Sequence, residues 1–168
     1  RPTLWLVYGR RIDHCVGVTS PARSEGTGPA VTLSGMPHPI MFRDDDLGLA
    51  QVREIALGFP EAFEKVSWGR PVFCAPKMFT MYGGSAKTDT KGQYLQYPHS
   101  VLVKVDDSER RALEADRRFY YPAYMGPSGW LGLDLTAGKI DWAEVRELID
   151  ASFRMVAPKK LVKRLDVG

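Results

Sequence analysis

The sequence predicts an α+β protein in which helices pack on one face of an antiparallel β-sheet. Three observations carry that expectation. Apolar residues recur at helical spacing in residues 49–59 and again in residues 142–153. Between these stretches lie short β-rich runs separated by Gly, Pro and Ser. No internal repeat is present, so one sheet and a few helices must share a core, a two-layer arrangement.

The elements follow in order. Leu49, Val52, Ile55, Ala56 and Phe59 form the first helical stripe, with Asp44-Asp45-Asp46 expected at its positive end and Gly58 and Pro60 ending it. Strands are expected over residues 65–68, 71–75, 77–82 and 100–105. The link 83–99, with Gly83-Gly84 and Gly92, reads as a mobile hairpin tip. A second helix over residues 107–117 has Asp106 as its cap, and two strands follow over 119–124 and 130–135. The last long helix has the clearest start. Asp141 and Glu144 stand at capping-box spacing, ahead of the face made by Trp142, Val145, Leu148, Ile149 and Phe153. Ser152 is the polar exception on that face. Pro158 can open a final short helix, where its missing N–H costs nothing.

Composition narrows the class of protein. The 168 residues are 44% hydrophobic and 26% charged, which suits one folded domain and excludes collagen-like, coiled-coil and wholly disordered chains. No apolar run approaches the ~18 residues that cross a bilayer, so no membrane is expected among the partners. Residues 1–35 differ from the rest. The run from Ser20 to Pro29 is rich in breakers, and the apolar run from Leu4 to Tyr8 is too short for a secretory signal. The expected organisation is a tail over 1–35, disordered or extraneous, with Arg10 and Arg11 as an alternative basic arm, and a single domain over 36–168. Two cysteines, Cys15 and Cys74, make neither a disulfide framework nor a zinc site by themselves, so a reducing, cytoplasmic setting is expected.

The search for chemistry gives mostly exclusions. His14, His38 and His99 have no partners at metal-ligand spacing, and no nucleotide, zincin or hydrolase motif occurs. Gly83-Gly84-Ser85 has no helix after it, so it makes no phosphate cradle. Cys74 lies in an apolar strand and reads as buried and inert. Asp44, Asp45, Asp46, Glu54, Glu61 and Glu64 read as caps and a solvated face rather than a cation site. No catalytic pair, metal or cofactor is expected, and the protein reads as a non-enzyme.

Charge and aromatics point elsewhere. The chain carries 23 basic and 20 acidic side chains, a net charge of +3. Four of the cations and two of the acids lie in residues 1–35, which leaves residues 36–168 nearly neutral. Phosphate binding would therefore need local clusters. Lys159/Lys163 and Lys160/Arg164 form two like-charged rows one helical turn apart, favourable only beside an anion or a helix C-terminus. Arg110, Glu114 and Arg118 are spaced for intrahelical salt bridges. Strand alternation puts Val101, Val103 and Val105 on one face and Leu102 and Lys104 on the other; likewise Leu131, Leu133 and Leu135 oppose Trp130, Gly132 and Asp134. Lys104 and Trp130 are thus expected on the sheet face away from the helices. Two uses fit that pair: docking of a partner or base, or a Trp covered by the 83–99 loop.

A family resemblance adds to this. Ser67-Trp68-Gly69-Arg70-Pro71, Phe73 and Lys77-Met78-Phe79 resemble the central signature of the MmcQ/YjbR family. Val101-Leu102-Val103-Lys104-Val105, Arg118-Phe119-Tyr120, Pro122-Ala123-Tyr124, Gly129-Trp130-Leu131, Asp141-Trp142 and Ala157-Pro158-Lys159-Lys160-Leu161 continue it in order. The resemblance spans roughly residues 47–165. It implies a CyaY-like (bacterial frataxin-like) fold, and a DNA-binding label attached to a double-wing arrangement. The expected nucleic-acid contacts are Arg70, Lys77, Lys87, Lys91, Lys104, Lys159, Lys160, Lys163 and Arg164, with Lys87 and Lys91 on a ribbon that can enter a major groove. The alternative is a protein- or ligand-interaction module using the exposed sheet face around Trp130, with Trp68 as a further partner contact.

Overall fold

The computed structural model describes residues 38–167, so the tail, the Arg10-Arg11 arm and His14-Cys15 lie outside the described residues. Helix α1 (Leu49–Leu57) precedes four strands: β1 (Phe63–Ser67), β2 (Arg70–Cys74), β3 (Met78–Lys87) and β4 (Tyr94–Lys104). Then come α2 (Asp107–Ala115), β5 (Phe119–Tyr120), a 3-10 turn (Gly126–Ser128), β6 (Trp130–Asp134), α3 (Trp142–Val156) and α4 (Lys159–Val167). The six strands form one antiparallel sheet in the order β1-β2-β3-β4-β6-β5. The α+β expectation is met.

One sheet face meets the helices. Val101, Val103, Val105, Leu131, Leu133 and Leu135 pack with Leu49, Val52 and Ile55 of α1 and Val145, Ile149 and Phe153 of α3. Phe59, Phe79 and Phe153 form an aromatic cluster at its centre, with ring centroids 4.8–5.6 Å apart. Asp141 caps α3 by accepting from the Ala143 and Glu144 amides, and Asp106 caps α2 by accepting from Ser108. Leu161 of α4 is buried in the same core, and the Pro158 carbonyl accepts from the Leu161 and Val162 amides.

Ser152 explains itself here. Fully buried, its hydroxyl donates to the Phe79 carbonyl and accepts from the Lys104 amide at 2.9 Å. It joins α3 to β3 and β4 where the apolar stripe alone would leave two main-chain groups without partners.

Three local expectations are corrected. Asp44, Asp45 and Asp46 do not cap α1, whose N-cap is Gly48 in a left-handed conformation with no side-chain bond. They bind arginines instead: Asp44 reaches Arg53 at 2.9 Å, Asp45 reaches Arg43 at 3.0 Å, and Asp46 accepts from the Arg43 amide. The strand expected over residues 119–124 stops at Tyr120, because Pro122 has no amide to continue the ladder. Arg118 lies beyond the end of α2 and pairs with Asp116 and Glu144, both at 2.7 Å, leaving Glu114 to Arg110. These carboxylates hold the Arg118 pKa above its ordinary value, and Arg118 in turn lowers that of Asp116.

The larger correction concerns residues 83–99. Most of them are strand rather than loop: β3 and β4 continue as a two-stranded ribbon, pairing Gly84 with Tyr97, Ser85 with Gln96, Ala86 with Leu95 and Lys87 with Tyr94. Neither β2 nor β6 extends that far. The register shifts between Tyr82 and Gly84, with Gly83 at φ +79°, a bulge that redirects the ribbon. Ribbon residues Ala86 and Tyr97 then pack against a second buried cluster on the face opposite the helices: Val72, Cys74, Met78, Met81, Leu102, Tyr120, Met125 and Trp130.

Tyr120 is the main tie on that face. Its ring stacks on Tyr97 with centroids 3.8 Å apart, and its hydroxyl shares a 2.8 Å hydrogen bond with Ser100. It lies over two glycines: a Cβ on Gly132 would come within 2.3 Å of the ring, and one on Gly84 within 2.4 Å of the hydroxyl.

Two outcomes are expected. Ser152→Ala leaves the buried Phe79 carbonyl and Lys104 amide unpaired and costs about 1–3 kcal/mol in urea unfolding with an unchanged m value. Gly132→Ala costs about 1–3 kcal/mol through overpacking, and most of that penalty vanishes in a Tyr120→Ala background when a double-mutant cycle is measured by the same unfolding.

Candidate nucleic-acid interface

The nine expected phosphate contacts do not form one surface. Arg70 is the clearest correction, being only 6% exposed. Its Nη2 donates to Gln96 Oε1 at 3.0 Å, and Nη1 has no hydrogen-bond partner among the described residues. The guanidinium occupies the space above Gly83, where a Cβ would approach Nη1 to 2.2 Å. Burial lowers the Arg70 pKa. This cation is a structural strut between β2 and the base of the ribbon, out of reach of phosphate. The adjacent glycines, which resembled a phosphate cradle only superficially, are there to admit Arg70 and Tyr120.

The remaining cations divide by position. Lys77, in the β2–β3 turn, and Lys104, at the end of β4, lie at one end of the sheet. Lys104 is half-buried and stands opposite Trp130 in register. Lys159, Lys160, Lys163 and Arg164 are exposed on α4, which packs on the helical face, so Lys104 and α4 belong to opposite faces. Arg164 is paired with Glu61 at 2.7 Å. Lys87 and Lys91 are exposed at the other end, around the ribbon tip. The ten residues of β3 separate the two ends by ~30 Å at strand rise.

The arginines are largely consumed. Arg43, Arg53, Arg110, Arg118, Arg154 and Arg164 all sit in ion pairs of 2.6–3.0 Å. Asp166, which stood as the acid local to the α4 cations, serves Arg154 of α3. Lys77, Lys91, Lys104, Lys159, Lys160 and Lys163 enter no ion pair among the described residues, and neither do the exposed Arg111, Arg117 and Arg146.

The tryptophans also separate. Trp130 is 4% exposed, packed with Met125 and Tyr120 on the second face. A partner cannot reach it, which removes the exposed-face interaction module; Trp130 is covered, but within a cluster that includes Tyr120 and Met125 rather than by the expected 83–99 loop. Trp68 is 38% exposed at the opposite end of the sheet. It occupies the two-residue β1–β2 turn with Gly69, at φ +53° and +73°, the left-handed pattern of a tight hairpin. The Gly69 carbonyl accepts from the Met41 amide at 2.8 Å.

Two residues that the sequence reading passed over complete the ribbon. Tyr94 stands opposite Lys87 in register, and its ring stacks with Tyr124 at 5.6 Å and 26°. The signal for Tyr94 existed only as Tyr94-Leu95-Gln96-Tyr97, strand-like alternation inside a stretch assigned to a loop, while Tyr124 stood in the strand expected over residues 119–124. Among the titratable groups, Tyr82 is raised by burial. Its hydroxyl donates to the Leu47 carbonyl at 2.6 Å, so the 3.1 Å contact with His99 requires a proton on His99 Nδ1. His99 is thus a fold residue. Cys74 is wholly buried and is not a free thiol, which departs from the reduced cysteine expected from the sequence. The described residues contain no cluster of three or more His, Cys, Asp or Glu side chains placed to hold a metal, and no helix long and apolar enough to cross a membrane.

A helix-backed antiparallel sheet with its second face closed by a curled ribbon defines the class: a two-layer α+β domain. The YjbR family model matches residues 57–155, more than half of the chain, and the protein belongs to the YjbR family. Among solved structures, it is similar to a protein from Pseudomonas syringae at 18% identity and TM-score 0.49, covering 64% of this chain and 97% of that one. It is also similar to Deinococcus radiodurans protein DR2400, of domain family DUF419, at 17% identity and TM-score 0.44, covering 70% and 87%. No curated protein sequence matches the chain.

The Arg70 strut generates an expectation. Gly83→Ala places a Cβ against the guanidinium in a left-handed backbone and costs about 1–3 kcal/mol, seen as a lower urea midpoint.

Proposed function

We propose that this protein is a non-catalytic DNA-binding module that engages DNA through the β3–β4 ribbon. One observation supports the reading above all. Lys87 and Lys91 are exposed together on the part of the sheet where no third strand flanks β3 and β4. A two-stranded ribbon has the width to enter a groove, and lysines at its tip can neutralise phosphates that flank it. The α4 lysines and Lys104 point to other surfaces, so the earlier picture of nine converging cations reduces to two. The reading makes the chain a cytoplasmic protein of a bacterium, with DNA rather than a membrane as its partner and no bond-making step.

Two neutralised phosphates give a definite salt dependence. Fluorescence polarisation of labelled DNA is expected to show log K falling with log salt at a slope of about −1.8 for duplex and about −1.4 for single strands. The double variant Lys87→Glu/Lys91→Glu loses binding at ~25 mM salt, while Lys159→Glu/Lys160→Glu stays within about twofold of the parent. Equal binding by the ribbon variant and the parent, or no binding by the parent at that salt, rejects the reading.

A further inference from the structure

We propose that Tyr94 and Tyr124 form a stacking platform for an unpaired base, so that the ribbon takes single-stranded DNA in preference to duplex. The inference rests on the ribbon reading and names its substrate class. Tyr124 is held to the ribbon from a distant part of the chain, because the amide of its neighbour Ala123 donates to the Ser85 carbonyl at 2.8 Å. The Tyr94 and Tyr124 rings stack at 5.6 Å and 26° while remaining 38% and 63% exposed. Mutual stacking fixes the orientation of both rings, yet Tyr124 keeps most of its surface in water.

The position of Lys87 selects the ligand. Lys87 and Tyr94 are directly opposed across the ribbon, so their side chains share one face. An aromatic surface beside an ammonium matches the repeating unit of a nucleic-acid strand, in which each base face adjoins a phosphate. Duplex DNA buries its base faces in its own stack and offers Tyr124 nothing. An unpaired base offers a free π-face, and stacking supplies the affinity that two lysines alone do not.

The experiment uses the full chain and two labelled single strands on the order of twelve nucleotides long, oligothymidylate and an abasic oligomer with the same number of phosphates. Oligothymidylate is expected to bind about tenfold more tightly than the abasic strand. Tyr124→Ala brings it down to the abasic level with an unchanged salt slope, and Tyr124→Phe restores the difference. Equal binding of the two strands by the parent, or a thymidylate preference that survives Tyr124→Ala, overturns the platform. If Lys87→Glu/Lys91→Glu still weakens both strands in that case, the ribbon reading stands without it. Absence of binding to either strand at ~25 mM salt removes both.

Discussion

The architecture depends on a sheet that is apolar on both faces in a chain whose helices cover only one. Val72, Cys74, Met81, Leu102 and Trp130 all face away from α1 and α3 and would lose their burial energy if left in water. The protein closes this face with its own irregular parts. The β3–β4 ribbon turns at the Gly83 bulge and brings Ala86 and Tyr97 against it, the segment after β5 brings Met125, and Tyr120 lies across the strands between them. Glycine is required at 84 and 132 because the Tyr120 ring and hydroxyl occupy the space where their side chains would stand. Arg70 is drawn in by the same closure and is buried without a carboxylate partner, an arrangement tolerated only because the surrounding strands fix it.

How much of this the sequence disclosed follows from the range of each interaction. The α1 and α3 stripes, the Asp141 and Asp106 caps and the face assignments of residues 101–105 and 130–135 were legible because each is set within a few residues by the period of one element. Asp44–Asp46 misled for the opposite reason. Their partners Arg43 and Arg53 compete for them, and a left-handed Gly48 starts the helix without them. Trp130 and Arg70 were misplaced by one omission: alternation says which face a residue takes but not whether anything covers that face. The cover comes from Tyr120 and Met125 as well as from residues 83–99, whose Gly-Gly pair looks like a loop until Tyr120 and Arg70 are seen filling the space above it.

Electrostatics was less legible than hydrophobicity. A net charge near zero concealed a division of labour in which most arginines hold the scaffold together, while most lysines and Arg111, Arg117 and Arg146 remain at the surface. The bidentate reach of guanidinium suits the first task, as Arg118 shows by bridging Asp116 and Glu144, and Arg154 by bridging Asp150 and Asp166. Most of these pairs are partly exposed and each contributes modestly. Their larger consequence is subtractive: they occupy six guanidinium groups and leave mainly compact, hydrated ammonium groups distributed around the molecule.

Closure of the second face and the proposed binding surface are therefore one problem. The ribbon carries Lys87, Lys91 and Tyr94 where they stand because its base is fixed by Arg70 on Gln96, its edge by Ala123 on Ser85, and its inner surface by Tyr97 on Tyr120. A free hairpin of this length would spend part of any binding energy on ordering itself. Here that ordering is accomplished during folding by residues buried beneath the ribbon. Substitutions at Gly83 or Gly132 should consequently reach the ribbon through the position of its base, although neither residue faces the tip.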